Sequence, residues 1–127
     1  MKFAFCIFLC ALALLSNVAD AWFMGVYTGT DYTGKYQEWK STSAKNDCYA
    51  LAKSITDKGV RSFQFCTLTP FSRCVITLHS DPLCRNNDLG HSDGSWSKPE
   101  TSKKGRTLKS FKIQGCITEL DVNTCKK

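Results

Sequence analysis

The strongest constraint on this chain is an internal repeat. Val60-Arg61-Ser62-Phe63-Gln64-Phe65 returns as Leu108-Lys109-Ser110-Phe111-Lys112-Ile113, matched position by position in residue type. Upstream, Gly25-Val26-Tyr27 and the segment Thr28 to Gly34 have counterparts in Thr77-Leu78-His79 and the segment Ser80 to Asn86. Self-similar units of this size are supersecondary structures that bury their apolar faces against each other. The β-branched and aromatic content of the repeated hexapeptide favours strand over helix. Two related β halves sharing one core are therefore expected, over about residues 22–68 and 74–116, with a C-terminal tail over 117–127.

Ahead of the repeat, Met1-Lys2, the apolar run Phe3 to Leu15 and the exit Ala19-Asp20-Ala21 form the charged start, hydrophobic middle and small-x-small end of a secretory signal peptide. Cleavage after Ala21 is expected, with a single domain from Trp22 to Lys127 and a secreted, extracellular location. The apolar run is shorter than the roughly 20 residues that cross a bilayer, so no transmembrane insertion is expected.

Cys6 and Cys10 leave with this leader. Cys48, Cys66, Cys74, Cys84, Cys116 and Cys125 remain, an even set in a small exported chain, which is the pattern of a disulfide framework. With no Cys-x-x-Cys pair, and with His79 and His91 lacking partners at finger-like spacing, zinc has little support. Cys74 and Cys84 bracket a strand and its Pro82 turn, so the hairpin argument favours a Cys74–Cys84 bridge. The other four cysteines can pair in several ways, with a lean toward Cys48 joining the C-terminal half because longer loops constrain the unfolded chain more.

Along the mature chain, Trp22 to Tyr36 reads as strand, tight turn and return strand. Cys48, Leu51, Ala52 and Ile55 recur at helical intervals and predict one short helix over Thr42–Asp57, capped by Thr42 or Ser43 and stopped by Gly59, with Cys48 buried. Val60 to Leu68 and Cys74 to His79 read as strands, Arg85 to Arg106 as mostly loop, and Thr107 to Ile113 as the last strand.

Tyr27, Tyr32 five positions on and Gly34 two further resemble the corner of a βγ-crystallin Greek-key motif. The second half keeps that frame with His79, Cys84 and Asn86, asparagine being the best substitute for a glycine in a left-handed conformation. Ser62 and Ser110 fall where the family has the serine that closes each motif. The resemblance implies a mostly β, disulfide-stabilised Greek-key β-sandwich of two related halves, and extends to killer-toxin-like proteins, microbial effectors and protease inhibitors. Calcium, widespread in the family, is disfavoured here. In Asp57-Lys58-Gly59-Val60-Arg61-Ser62 and Gly105-Arg106-Thr107-Leu108-Lys109-Ser110, Arg61 and Lys109 stand where oxygen ligands are needed. No cofactor is expected.

Charge and aromatics carry the functional reading. The full chain has a formal net charge of +6, and Lys98, Lys103, Lys104, Arg106, Lys109 and Lys112 face only Glu100 within one stretch. Such an excess attracts anionic lipid, acidic wall polymer or, with less support, nucleic acid. Trp39 and Trp96, where exposed beside these lysines, complete a candidate binding surface; the alternative, expected for at least one of them, is that they fill the core of so small a domain. A catalytic constellation is missing. No nucleophile elbow surrounds a serine, and nothing in the spacing pairs His79 or His91 with Glu38, Glu100 or Glu119 for the acid–base work of a secreted ribonuclease. The expectation is a secreted binding protein, not an enzyme, that recognises a cell-surface component or host protein as a virulence effector or antimicrobial, killer-type toxin. A small ribonuclease or a protease inhibitor is the alternative.

Overall fold

A computed structural model of the chain describes residues 22–41, 47–67 and 73–117. Residues 1–21, read as a signal peptide, residues 42–46 of the predicted helix, Leu68 to Pro70, Glu119 and Cys125 lie outside the described residues. The protein is mostly β, built from two four-stranded antiparallel sheets. Strands β1 (Trp22–Tyr27), β2 (Tyr36–Ser41), β4 (Ser62–Thr67) and β7 (Trp96–Lys98) form the first, in the order β2-β1-β4-β7. The second is ordered β3-β8-β5-β6, from β3 (Cys48–Ala50), β8 (Ser110–Ile117), β5 (Arg73–His79) and β6 (His91–Asp93). Each sheet thus takes one short edge strand, β7 or β3, from the stretch of chain that builds the other.

Strand alternation supplies the core. Trp22, Met24 and Val26 of β1, Phe63 and Phe65 of β4, Cys74, Ile76 and Leu78 of β5, and Phe111 and Ile113 of β8 all point between the sheets. Leu51, Ile55, Val60 and Leu108 close the layer from the connections. Burying each large apolar side chain contributes about 1.5–3 kcal/mol. The repeated phenylalanines are both central, with Phe63 4% and Phe111 0% exposed.

The two corners that follow β1 and β5 are fastened alike. Ser62 Oγ accepts the Tyr32 N–H (3.0 Å) and donates to the Gly29 carbonyl (2.6 Å). Ser110 Oγ accepts the Cys84 N–H (3.2 Å) and donates to the Asp81 carbonyl. Tyr32 (φ 61°) and Cys84 (φ 55°) both adopt the left-handed backbone. In the first corner Gly34 (φ 84°) is required, since a Cβ there would come within 2.6 Å of Thr28 Oγ1. Asn86 does not share that conformation, contrary to expectation. The Asp81 carboxylate holds the second corner instead, accepting the N–H groups of Asn86 (2.8 Å), Leu83 (3.0 Å) and Arg85 (3.0 Å). These bonds keep its carboxyl below the ordinary aspartate range, with the Asn86 N–H the largest cause.

Several expectations are corrected. Among the described residues of the predicted Thr42–Asp57 helix only Lys53–Thr56 is helical, a single turn, because Cys48–Ala50 hydrogen-bonds along β8 as an edge strand. Leu51 and Ile55 are buried as their spacing required, but Cys48 is exposed. The favoured Cys74–Cys84 bridge is not formed. Cys84 joins Cys48, across 36 residues, and Cys74 joins Cys116, across 42. Long-range strand pairing decides this outcome. β5 runs beside β8, so Cys74 sits directly opposite Cys116 with their Cα atoms 3.9 Å apart. The left-handed turn at Cys84 brings it to Cys48 of β3, Cα–Cα 5.9 Å. Cys66, buried in β4, is also disulfide-bonded. Arg85 to Arg106 is mostly loop, as expected, interrupted by the two short strands β6 and β7.

Candidate functional site

The segment after β7 is tied to the core by its own backbone. Thr101, buried, donates its N–H to the Arg61 carbonyl (2.8 Å) and its hydroxyl to the Val60 carbonyl (2.7 Å). Ser102 then braces the start of a 3-10 turn, Gly105–Thr107. Its hydroxyl accepts the Gly105 N–H (3.1 Å) and its carbonyl the Arg106 N–H (3.1 Å). On the facing side, Leu78 N–H donates to the Gly90 carbonyl (2.9 Å), which fixes Leu89 and Gly90 beside β5.

Between these walls lies an open cleft of about 150 Å³. Phe63, Leu78, Leu89 and Trp96 line its apolar part, with Trp96 edge-on to Phe63 at 5.1 Å between ring centroids. Its polar part is formed by Lys98, Lys104, Asp88, Glu100 and Ser102. The two Asp88 carboxylate oxygens share the one hydroxyl hydrogen of Ser80 (2.8 and 2.9 Å), and Lys104 attracts the carboxylate. The Asp88 carboxyl is held below the ordinary range, chiefly by Ser80. The cleft therefore carries two cations and two anions.

The proposed basic surface is rearranged accordingly. Lys98, Lys103 and Lys104 are exposed around the cleft or its turn, but Lys98 and Lys104 share it with Asp88 and Glu100. A count along the Lys98–Lys112 window missed Asp88 because the fold delivers it from the preceding loop. Arg106 is half-buried, its Nε shielded from solvent and its carbonyl accepting the Val60 N–H (3.3 Å), so it is not a solvated loop charge. Lys109 is exposed, while its N–H donates to the His79 carbonyl (2.9 Å). Lys112 lies on β8, between Cys48 of β3 and Thr77 of β5.

Neither tryptophan of the expected surface is free-standing. Trp39 is half-buried, edge-on to Phe111 at 4.8 Å, and Trp96 is half-buried against Phe63. Both pack a large apolar ring against the margin of the core, which takes much of each ring out of water. Trp96 alone of the two lines the cleft.

The histidines do not meet a carboxylate there. His79 is 1% exposed, and its Nδ1–H donates to the Asn86 carbonyl (2.8 Å). His91 is exposed on β6, in a separate depression of about 290 Å³ with Val75, Thr77, Asn87, Gly90 and Gln114. Glu38 is exposed on β2, and Glu100 is in the cleft. Among the described residues no group of three or more His, Cys, Asp or Glu side chains is placed to hold a metal ion, and no helix is long and apolar enough to cross a membrane. Compared with protein families, with curated proteins and with solved structures, the chain matches none of them.

Proposed function

We propose that this chain is a secreted, βγ-crystallin-like Greek-key domain of two related halves that acts as a binding protein on another cell, as an effector or killer-type toxin, without turnover and without calcium. The exchange of β3 and β7 between the sheets supports the two-half reading, as do the matched corners closed by Ser62 and Ser110. So does a second pair of bonds: Arg61 N–H to the Tyr27 carbonyl (2.8 Å) and Lys109 N–H to the His79 carbonyl (2.9 Å).

The observation that carries the functional reading is the cleft between β7 and the 3-10 turn. It offers an aromatic and aliphatic floor with charged groups of both signs, in a disulfide-fastened frame. A concave site of this composition recognises and orients a ligand. Asp88, Glu100 and two lysines stand there without a histidine, and His79 is buried and does not line the cleft, which supports binding over general acid–base catalysis.

The test uses the oxidised, secreted chain, fluorescently labelled, on intact microbial and host cells, with growth inhibition and RNA cleavage followed in parallel. Saturable cell binding that is reduced by Lys103→Ala/Lys104→Ala, with an unaltered thermal transition, is expected, because exposed lysines contribute little to folding. Absence of saturable binding to any cell, or turnover of RNA, contradicts the reading.

A further inference from the structure

The charge balance of the cleft narrows its ligand. A simple anion would face Asp88 and Glu100 as well as Lys98 and Lys104, and a simple cation meets the same conflict with the signs exchanged. A wholly apolar ligand would cover charged side chains and strip their water without replacing its hydrogen bonds. A compact zwitterion could pair with charges of both signs but would leave the apolar floor of Phe63, Leu78, Leu89 and Trp96 uncovered. What fits is a neutral molecule with one apolar face and a perimeter of hydroxyls. The ammonium groups of Lys98 and Lys104 donate, the carboxylates of Asp88 and Glu100 accept, and the Ser102 hydroxyl can do either. Phe63, Leu78, Leu89 and Trp96 supply an apolar platform of matching character. The volume, about 150 Å³, is that of a cavity able to take one six-membered ring.

We infer that this cleft is a carbohydrate subsite that takes a single neutral pyranose unit, such as the end or a branch of a cell-surface glycan. The inference rests on the binding reading above and names the class of ligand for that same site. Part of the perimeter is also held in place before any ligand arrives. The Ser102 hydroxyl is held by the Gly105 N–H, Asp88 by Ser80, and Thr101 by its N–H to Arg61 and its hydroxyl to Val60, which lowers the ordering cost of binding.

The experiment is an NMR titration of the isotopically labelled, oxidised chain with glucose, mannose, galactose and N-acetylglucosamine, and with glucuronate and glycine as charged probes. At least one neutral sugar should shift the amides of Phe63, Leu89, Trp96, Lys98 and Gly105 saturably, with a dissociation constant on the order of 1–10 mM, as expected for a ligand of this size. Added salt should leave that constant unchanged, since the ligand is uncharged. Trp96→Ala should weaken binding about tenfold or more, whereas Tyr36→Ala, on the exposed face of β2, should not affect it. Because Trp96 also packs on Phe63, Glu100→Ala, at an exposed position, gives a second reading that does not depend on the core, with about a tenfold loss expected.

Failure of every neutral sugar to shift those amides overturns the inference. So do binding that is indifferent to both substitutions, and a preference for glucuronate or glycine. Cell binding that persists when free sugars neither bind nor compete leaves the wider binding reading intact and removes this one. Sugar binding by a chain that attaches to no cell does the reverse.

Discussion

The repeated phenylalanines stand at two ends of one core, and their surroundings differ. Phe111 is enclosed by Trp39 at 4.8 Å, Tyr49 stacked at 5.0 Å and Trp22 at 6.2 Å. Phe63 has Trp96 at 5.1 Å, and the remaining space is the cleft. Tyr49 belongs to β3 and Trp96 to β7, so the same structural device, a short edge strand crossing to the other sheet, closes one end with stacked rings and leaves the other open. The closed end shows what the positions require for stability alone. The open end forgoes that packing and gathers charged groups in its place, and it is this difference that the proposed binding role rests on.

Substitution at the two ends should separate these roles. Phe111→Ala is expected to cost about 3–5 kcal/mol, since a fully buried ring leaves a cavity that three neighbouring aromatics cannot collapse into. Trp96→Ala removes a half-exposed ring beside an existing cleft and should cost only about 1–2 kcal/mol. Urea unfolding of the two variants measures the contrast. Equal losses would mean that the open end is as structural as the closed one.

The Cys48–Cys84 bridge sharpens the same contrast, because it anchors β3, which carries Tyr49 over Phe111, to the second corner. Replacing both cysteines by serine should lower stability by about 2–4 kcal/mol. Amide shifts should spread along β3 and residues 81–86 while those of Leu89, Trp96 and Gly105 stay in place. Movement of the cleft residues would show that the two ends are mechanically coupled.

Ser62 and Ser110 should behave as a matched pair. Removing either hydroxyl leaves a backbone N–H, of Tyr32 or Cys84, without its acceptor, and each alanine variant should lose about 1–3 kcal/mol in thermal or urea unfolding. A large loss at one serine with none at the other would break the equivalence of the corners.

A smaller effect is expected in acid. The Asp81 and Asp88 carboxyls are held below the ordinary aspartate value of about 3.9, so their ionised forms support the fold throughout the pH range above it. That support is lost as pH falls through the lowered folded values. The first corner relies on hydroxyls, with Thr28 Oγ1 accepting the Lys35 N–H (2.9 Å) and Ser62 bridging Tyr32 to Gly29. Residues 81–88 should therefore loosen in acid before residues 28–35, an order that amide exchange at stepped pH can read. Asp81→Asn should abolish the difference.

How much of this was legible in the chain depends on whether a feature is local. The β1, β4, β5 and β8 strands announce themselves through their own aromatic and β-branched residues, and the repeat pairs Ser62 with Ser110 and Phe63 with Phe111. The helix failed because Leu51 and Ile55, one helical turn apart, are equally well buried by an extended segment running into a single turn. The Cys74–Cys84 bridge failed because nearness in sequence was weighed above the β5–β8 ladder, which places Cys116 opposite Cys74. Trp96 and its lysines were visible as residue types. The cleft itself was not, since Phe63, Leu78 and Asp88 reach it from three separate stretches. Asp88, which removes the positive bias of the site, lies outside any window centred on the lysines.

The most direct test of the asymmetry is an amide hydrogen-exchange footprint of the oxidised chain mixed with intact microbial or host cells, compared with the chain free in solution. Slowed exchange is predicted at Leu89, Trp96, Lys98 and Gly105, with Tyr49, Leu51 and the β2 strand Tyr36–Ser41 unchanged. Protection centred on β2 or on the Phe111 end, with the cleft amides exchanging as in the free chain, would contradict the account.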